Sequence, residues 1–273
     1  MKLARLPVLL AVGLMLGAAC APQRKPLGTG PPLVPLRQAT AQEVLAAFNA
    51  YCNRLESLSA SGHLNATDRR SGRTRRVSVR LVGRRGGELY LKGSVAVVTA
   101  LELVSSGERF WLRLPREKKI WTGSTSAPEA VGQDADAPYR ALRPRDLMSA
   151  LLPEPLVTGP TRLLAFEADP RAFALLLMHT PAGQPAEVLR RVWLDRATLR
   201  LVRLNTYALG GELRSEAHFA GWRDGFPHQV RVERLREGYS AAFEFDRLSI
   251  NVPVPDRAFV PRLPENHTVI EVD

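Results

Sequence analysis

Cysteine is scarce: the 273 residues hold two, Cys20 and Cys52. That excludes a disulfide framework and any cysteine-rich zinc site. Histidine is thin too, with five residues scattered at 63, 179, 218, 228 and 267. Only His218 and His228 are placed to approach each other, across a hairpin turning at Asp224-Gly225. With no nearby carboxylate or cysteine pattern they read as packing or surface residues, and no metal site is expected. There is no Gly-x-Ser-x-Gly elbow, no His-Glu-x-x-His and no phosphate-binding glycine loop. Asp134 and Asp136 lie in a loop with too few partners for calcium. Nothing in the sequence asks for catalysis or a cofactor, so no enzyme is expected. The sequons at Asn65 and Asn266 read as coincidence. No apolar run is long enough for a comfortable membrane-spanning helix.

The longest apolar run is at the start. Lys2 and Arg5 precede Leu6 to Leu16, which is broken by Pro7 and Gly13, and Gly17-Ala18-Ala19 lead into Cys20. This is the layout of a secretory signal. A cysteine directly after the small residues resembles the bacterial lipoprotein signal, although Gly17 stands where such signals favour leucine. The resemblance implies cleavage after residue 19 and acylation of Cys20 with palmitate-type chains. A plain secreted protein is the other reading. Ala21 stands where an aspartate often retains such proteins in the inner membrane, which points to the periplasmic face of the outer membrane. Each buried methylene contributes about 0.8 kcal/mol, so two or more chains anchor stably.

Charge is one-sided, with 38 Lys and Arg against 27 Asp and Glu, a formal +11. Losing Lys2 and Arg5 with the signal would leave +9. Arginines cluster at 69–70, 73–76, 84–85 and 190–191. An exported protein meets little nucleic acid, so anionic lipid is the partner this charge suits. An arginine-rich genome is the bland alternative.

Residues 20–38 are rich in proline and glycine and read as a tether. A single domain is expected over 39–273. Thr40 and Glu43 form a capping box, and Val44, Leu45, Phe48, Cys52 and Leu55 recur at helical spacing, which predicts a helix over 41–57. Cys52 reads there as a small buried hydrophobe.

From Leu58 the period becomes two: Val77, Val79 and Leu81, then Leu89 and Leu91, then Phe110, Leu112 and Leu114 alternate with polar neighbours. Turn signals fall at Ser71-Gly72, Gly86-Gly87, Ser106-Gly107 and 115–118. Residues 123–138 read as a loop. Pro144 opens a short helix with Leu147, Met148, Leu151 and Leu152 on one face, stopped by Pro153. Strands are then predicted at 162–168, 172–179, 187–195, 198–208, 212–222, 227–236, 239–246 and 248–252. A helix behind Asp169-Pro170 is the alternative for 171–179. The fold class is therefore α+β, mainly antiparallel β.

This order, with Leu58-Ser-Ala-Ser-Gly-His-Leu64, Gly107-Glu-Arg-Phe-Trp-Leu112, Arg143-Pro-Arg-Asp-Leu-Met148 and Ile250 through Pro264, resembles the LolA/LolB lipoprotein-localisation fold. The resemblance spans about residues 40–273. It implies a strongly curved sheet, an incomplete barrel, wrapping around short helices. The anchor makes the chain look more like LolB, the outer-membrane receptor, than the soluble carrier. It further implies acyl-chain binding in an apolar cavity, lipoprotein or lipid cargo, a periplasmic carrier that delivers it, and no covalent chemistry. Leu147, Met148, Leu151 and Leu152 would then be cavity or lid residues, or ordinary core. Val95, Val97 and Val98 would form a membrane-inserting tip, or continue a buried strand. The alternative function is a structural lipoprotein that holds a protein partner in an envelope complex.

Overall fold

The computed structural model describes residues 36–126 and 143–272. The expected signal, Cys20, most of the expected tether, and Asp134 and Asp136 lie outside the described residues. No helix among the described residues is long and apolar enough to cross a membrane.

The domain begins with α1 (Ala41–Asn53). The capping box forms: the Glu43 amide donates to Thr40 Oγ1 at 3.3 Å, and the Thr40 amide donates to Glu43 Oε2 at 2.8 Å. Val44, Phe48 and Cys52 face inward as the spacing predicts, joined by Tyr51. Tyr51 meets Trp222 edge to face at 5.5 Å between ring centroids, a favourable aromatic geometry. Burial pushes the Cys52 thiol up to about 12, so it is an inert part of the core.

The helix stops at Asn53, short of the predicted residue 57. The cause lies far along the chain. Asn251 Nδ2 donates to the Arg54 carbonyl at 2.9 Å, and the Glu56 amide donates to Asn251 Oδ1 at 2.9 Å. Residues 54–56 are thus bound to the residue that follows β13, the neighbour of β1 in the sheet, and Leu55 is buried outside the helix it seemed to extend.

Six strands follow as a meander: β1 (Ser57–Asp68), β2 (Thr74–Arg84), β3 (Glu88–Val95), β4 (Val98–Ser106), β5 (Arg109–Leu114) and β6 (Lys119–Ser124). After α2 (Pro144–Leu151) comes a second meander: β7 (Arg162–Ala168), β8 (Ala172–His179), β9 (Glu187–Asp195), β10 (Leu201–Tyr207), β11 (Leu213–Arg223), β12 (Phe226–Arg234) and β13 (Tyr239–Ile250). A last strand, β14 (Thr268–Glu271), pairs parallel with β6. β1 pairs with β13 and joins the two meanders into one sheet of fourteen strands, with β14 and β7 at its free edges.

Alternate residues of the strands point to one face. Val77, Val79, Leu81, Leu89, Leu91, Phe110, Leu112 and Leu114 are all buried, as their period of two predicts. They share a single core cluster with β8 to β13 and both helices. Strands lie about 4.8 Å apart, so a flat sheet of this size could not close over two short helices. The sheet therefore curves around them, open along its edges. The fold class read from the sequence is the one observed.

Three strand readings need correction. Residues 239–252 hold one strand rather than two. The register slips between Ser61 and Gly62 opposite Arg247 and Phe245, which leaves Asp246 as the extra residue of a bulge. A Cβ at Gly62 would stand 2.0 Å from the Glu244 carbonyl oxygen, so only glycine fits. The predicted strand 198–208 begins at Leu201, because Asp195 accepts from the amides of Ala197 at 3.2 Å and Thr198 at 2.8 Å and closes a turn. The segment read as a loop from residue 123 begins inside β6, which was not foreseen, and neither was β14. Residues 171–179 form the strand β8 rather than a helix.

Two outcomes test this packing. Gly62→Ala should destabilise the fold by more than about 2 kcal/mol in chemical denaturation, because backbone must move to admit the methyl group. Cys52 should resist thiol reagents at pH 8 in the native protein and react at once in denaturant.

Candidate functional site

α2 occupies the hollow of the sheet. It has eight residues, too few to be stable alone, with Pro144 in its first turn and no side-chain cap at Arg143. Packing must hold it. Leu147, Met148, Leu151 and Leu152 are all buried within the common core. The four residues are brought together in the hollow as their spacing predicts, and Met148 and Leu152 also border open space. The apolar space left beside Leu151, among Tyr51, Leu55, Phe226 and Phe245, is only about 20 Å³.

Two polar ties fix the helix. At its start, Arg234 of β12 donates to Asp146 Oδ2 at 2.6 Å, and both side chains are 4 % exposed. Burial pushes the Asp146 carboxyl above its usual range, and the guanidiniums of Arg234 and Arg214 oppose this. Beyond its end, Asn49 of α1 clasps Leu156: Nδ2 donates to its carbonyl at 3.0 Å, and its amide donates to Oδ1 at 2.8 Å. Sequence reading missed both ties, because the first joins residues 88 apart in the chain and the second residues 107 apart.

Val95, Val97 and Val98 come together at the β3–β4 hairpin. Val95 faces Val98 across the ladder, and Ala96 and Val97 form the turn, with Ala96 at a φ of 53°. Val97 is 97 % exposed, Val95 57 % and Val98 53 %. The reading that they continue a buried strand is overturned; they are an exposed apolar tip. β2 runs antiparallel to β3 with Ser78 opposite Ser94, so the β1–β2 turn lies at the same end of these strands. That turn carries Arg69, Arg70 and Arg73, followed by Arg75 and Arg76. Asp68 shapes it by accepting from Ser71 Oγ at 2.6 Å and the Arg70 amide at 2.9 Å. These bonds, from Ser71 first, hold the Asp68 carboxyl below its usual range. Arg69 is paired with Glu233 at 2.7 Å. An apolar tip thus stands beside a basic turn.

At the other end of β2 to β6, α2 borders a cleft of about 750 Å³. The β2–β3 and β4–β5 turns form one wall, and β7, β9, β10 and β11 the other. Gly86 and Gly107 let the two turns touch: a Cβ at Gly107 would lie 2.3 Å from the Gly86 carbonyl oxygen. Met148 and Leu152 reach the cleft from the helix.

His218 and His228 are not brought together. His218 faces Arg231 across the ladder and hydrogen-bonds Glu216 at 2.5 Å, whereas His228 Nδ1 lies 2.9 Å from the Phe245 carbonyl. Among the described residues no group of His, Cys, Asp and Glu is arranged to hold a metal.

These elements define a protein class by shape: a large, unclosed, mostly antiparallel sheet curved around two short helices. No protein-family model matches the chain, and no curated protein does. Solved structures of similar shape exist. One is a domain of Vibrio parahaemolyticus provisionally assigned to outer membrane lipoprotein sorting, 17% identical, with 81% of this chain and 97% of that one covered and a TM-score of 0.46. Another is a LolA superfamily protein of Nitrosomonas europaea, 11% identical, with 82% and 99% covered and a TM-score of 0.48. These are likenesses of general shape, and the function must be argued from this chain's own residues.

Removing one member of the buried pair tests how α2 is held. Arg234→Met should cost about 3–5 kcal/mol in thermal or chemical unfolding, because it strands the Asp146 carboxylate. Asp146→Leu added to Arg234→Met should recover most of that loss.

Proposed function

We propose that this chain is a lipid-anchored envelope protein that binds acyl chains and delivers acylated cargo, lipoprotein or lipid, into the outer membrane without covalent chemistry. Cys20 is the anchor. The observation that carries the reading is the exposed Val95–Val98 tip beside the arginine turn, an edge suited to an anionic bilayer. Valines entering the bilayer gain hydrophobic burial, and each arginine near the surface adds about 1 kcal/mol. Apolar side chains of α2 occupy the hollow where acyl chains would lie, so uptake requires the helix to give way. Its short length and few polar ties suit such a movement. A periplasmic carrier is the natural donor of the cargo.

The filled interior favours a second reading, in which the chain holds a protein partner and needs no acyl cavity. The full chain carrying Cys20→Ser separates the two. Offered a palmitoylated peptide and its unacylated twin, an acyl-binding protein takes up the first saturably and ignores the second. Equal binding of both would contradict acyl handling and favour the partner-binding reading.

The tip makes its own prediction. Val97→Asp should weaken binding to anionic vesicles about tenfold in a sedimentation assay. The melting temperature should stay unchanged, because Val97 packs against nothing. Unaltered vesicle binding would remove the tip from the account.

A further inference from the structure

The cleft beside α2 has a lining that acyl binding alone does not call for. Five arginines line it, namely Arg85, Arg145, Arg162, Arg190 and Arg214, against two carboxylates. Both carboxylates are engaged: Asp146 with Arg234 at 2.6 Å, and Glu154 with Arg190 at 2.6 Å. Arg85 has structural work, donating to the Cys52 carbonyl at the end of α1 and pairing with Glu56 at 3.3 Å. Arg145 and Arg162 are different. Both are exposed, and among the described residues neither side chain makes a hydrogen bond or an ion pair. They enter from separate elements, the first turn of α2 and the start of β7, yet face one cleft.

We propose that this cleft receives the phosphate group of an anionic amphiphile, with Arg145 and Arg162 as the guanidiniums that meet it and Arg190 and Arg214 completing the positive wall. Guanidinium is opposite to phosphate in charge, and its planar fork of N–H donors binds two phosphate oxygens through paired hydrogen bonds. Crowding of like charge supports the assignment. Desolvation first, then repulsion from Arg214 and Arg190, loosen the hold of Arg145 on its proton, while Asp146 and Glu154 oppose this. An anion placed among these groups relieves that repulsion. The volume, about 750 Å³, falls within the range usual for small-ligand sites. Met148, Leu152 and Leu189 supply apolar surface in the same lining, so a head group and the first part of its chains fit together. The cleft lies at the β2–β3 end of the sheet and the valine tip at the β3–β4 end, separated by the eight residues of β3, or about 25 Å. The same face therefore does not serve both contacts. The tail contact rests on the acyl-binding reading above; the phosphate contact rests on the arginines alone.

Titration calorimetry on the full chain carrying Cys20→Ser tests this with three soluble probes: dihexanoyl-phosphatidylglycerol, dihexanoylglycerol and inorganic phosphate. The phosphatidylglycerol should bind at least about tenfold more tightly than the uncharged lipid, and Arg145→Gln with Arg162→Gln should abolish the difference. Its affinity in the unaltered chain should also fall with added salt while that of dihexanoylglycerol holds, a readout that needs no variant. Inorganic phosphate binding as tightly as the lipid, with the same arginine dependence, would support the phosphate site and assign it to the free ion. Equal binding of the two lipids, or a difference that survives both substitutions, would overturn it. Failure of dihexanoylglycerol and the palmitoylated peptide alone would count against acyl binding and leave the phosphate result standing.

Discussion

One apolar face, contributed by alternate residues of a fourteen-stranded sheet, governs this molecule. Water must be kept from that face, and among the described residues α1 and α2 are the α-helices that help cover it. The sheet does the rest by curving until its own two halves share a core. From this constraint follow the bulge at Asp246, the glycine at 62 and the placing of a marginal eight-residue helix in the hollow. The buried Asp146–Arg234 pair follows as well. It fixes where α2 sits, and its favourable charge interaction is offset by the cost of taking both groups out of water.

Much of the fold was legible in the sequence because an outward polar face and an inward apolar one impose a period of two. The runs through Val77–Leu81, Leu89–Leu91 and Phe110–Leu114 showed it directly, and dipeptides such as Ser71-Gly72 and Gly86-Gly87 marked the turns. The Thr40–Glu43 box was legible because it is local. What escaped was settled by partners distant in the chain. Leu55 sits at helical spacing, but Asn251 binds its neighbours. Arg247 interrupts the alternation in a way that looks like a turn, and only the partner strand shows a bulge. The strand at Thr268–Glu271 is four residues long and exists because β6 offers an edge.

The candidate site was less legible, for the same reason. Consecutive valines at 97 and 98 satisfy a buried strand and an exposed tip equally well; the turn at Ala96 decides between them. Leu147, Met148, Leu151 and Leu152 were recognisable as one face, but a pattern does not say whether that face meets a void or a packed wall. The arginine cleft could not be read at all, since its residues come from the β2–β3 turn, α2, β7, β9 and β11. Its nearest signal was the excess of basic residues, which composition spreads over the whole surface.

The proposed reading would join three regions along one sheet: a tip to meet the bilayer, a hollow for acyl chains, and a cleft for a charged head. Its central claim is that α2 holds the place of the acyl chain and yields it. Hydrogen exchange over residues 144–152, with and without a saturating palmitoylated peptide, measures this most directly. The account predicts that amides of α2 exchange faster when the peptide is bound while those of β1 and β13 stay protected. Saturable uptake with α2 unchanged or better protected would contradict it, because the chain would then lie somewhere other than the hollow.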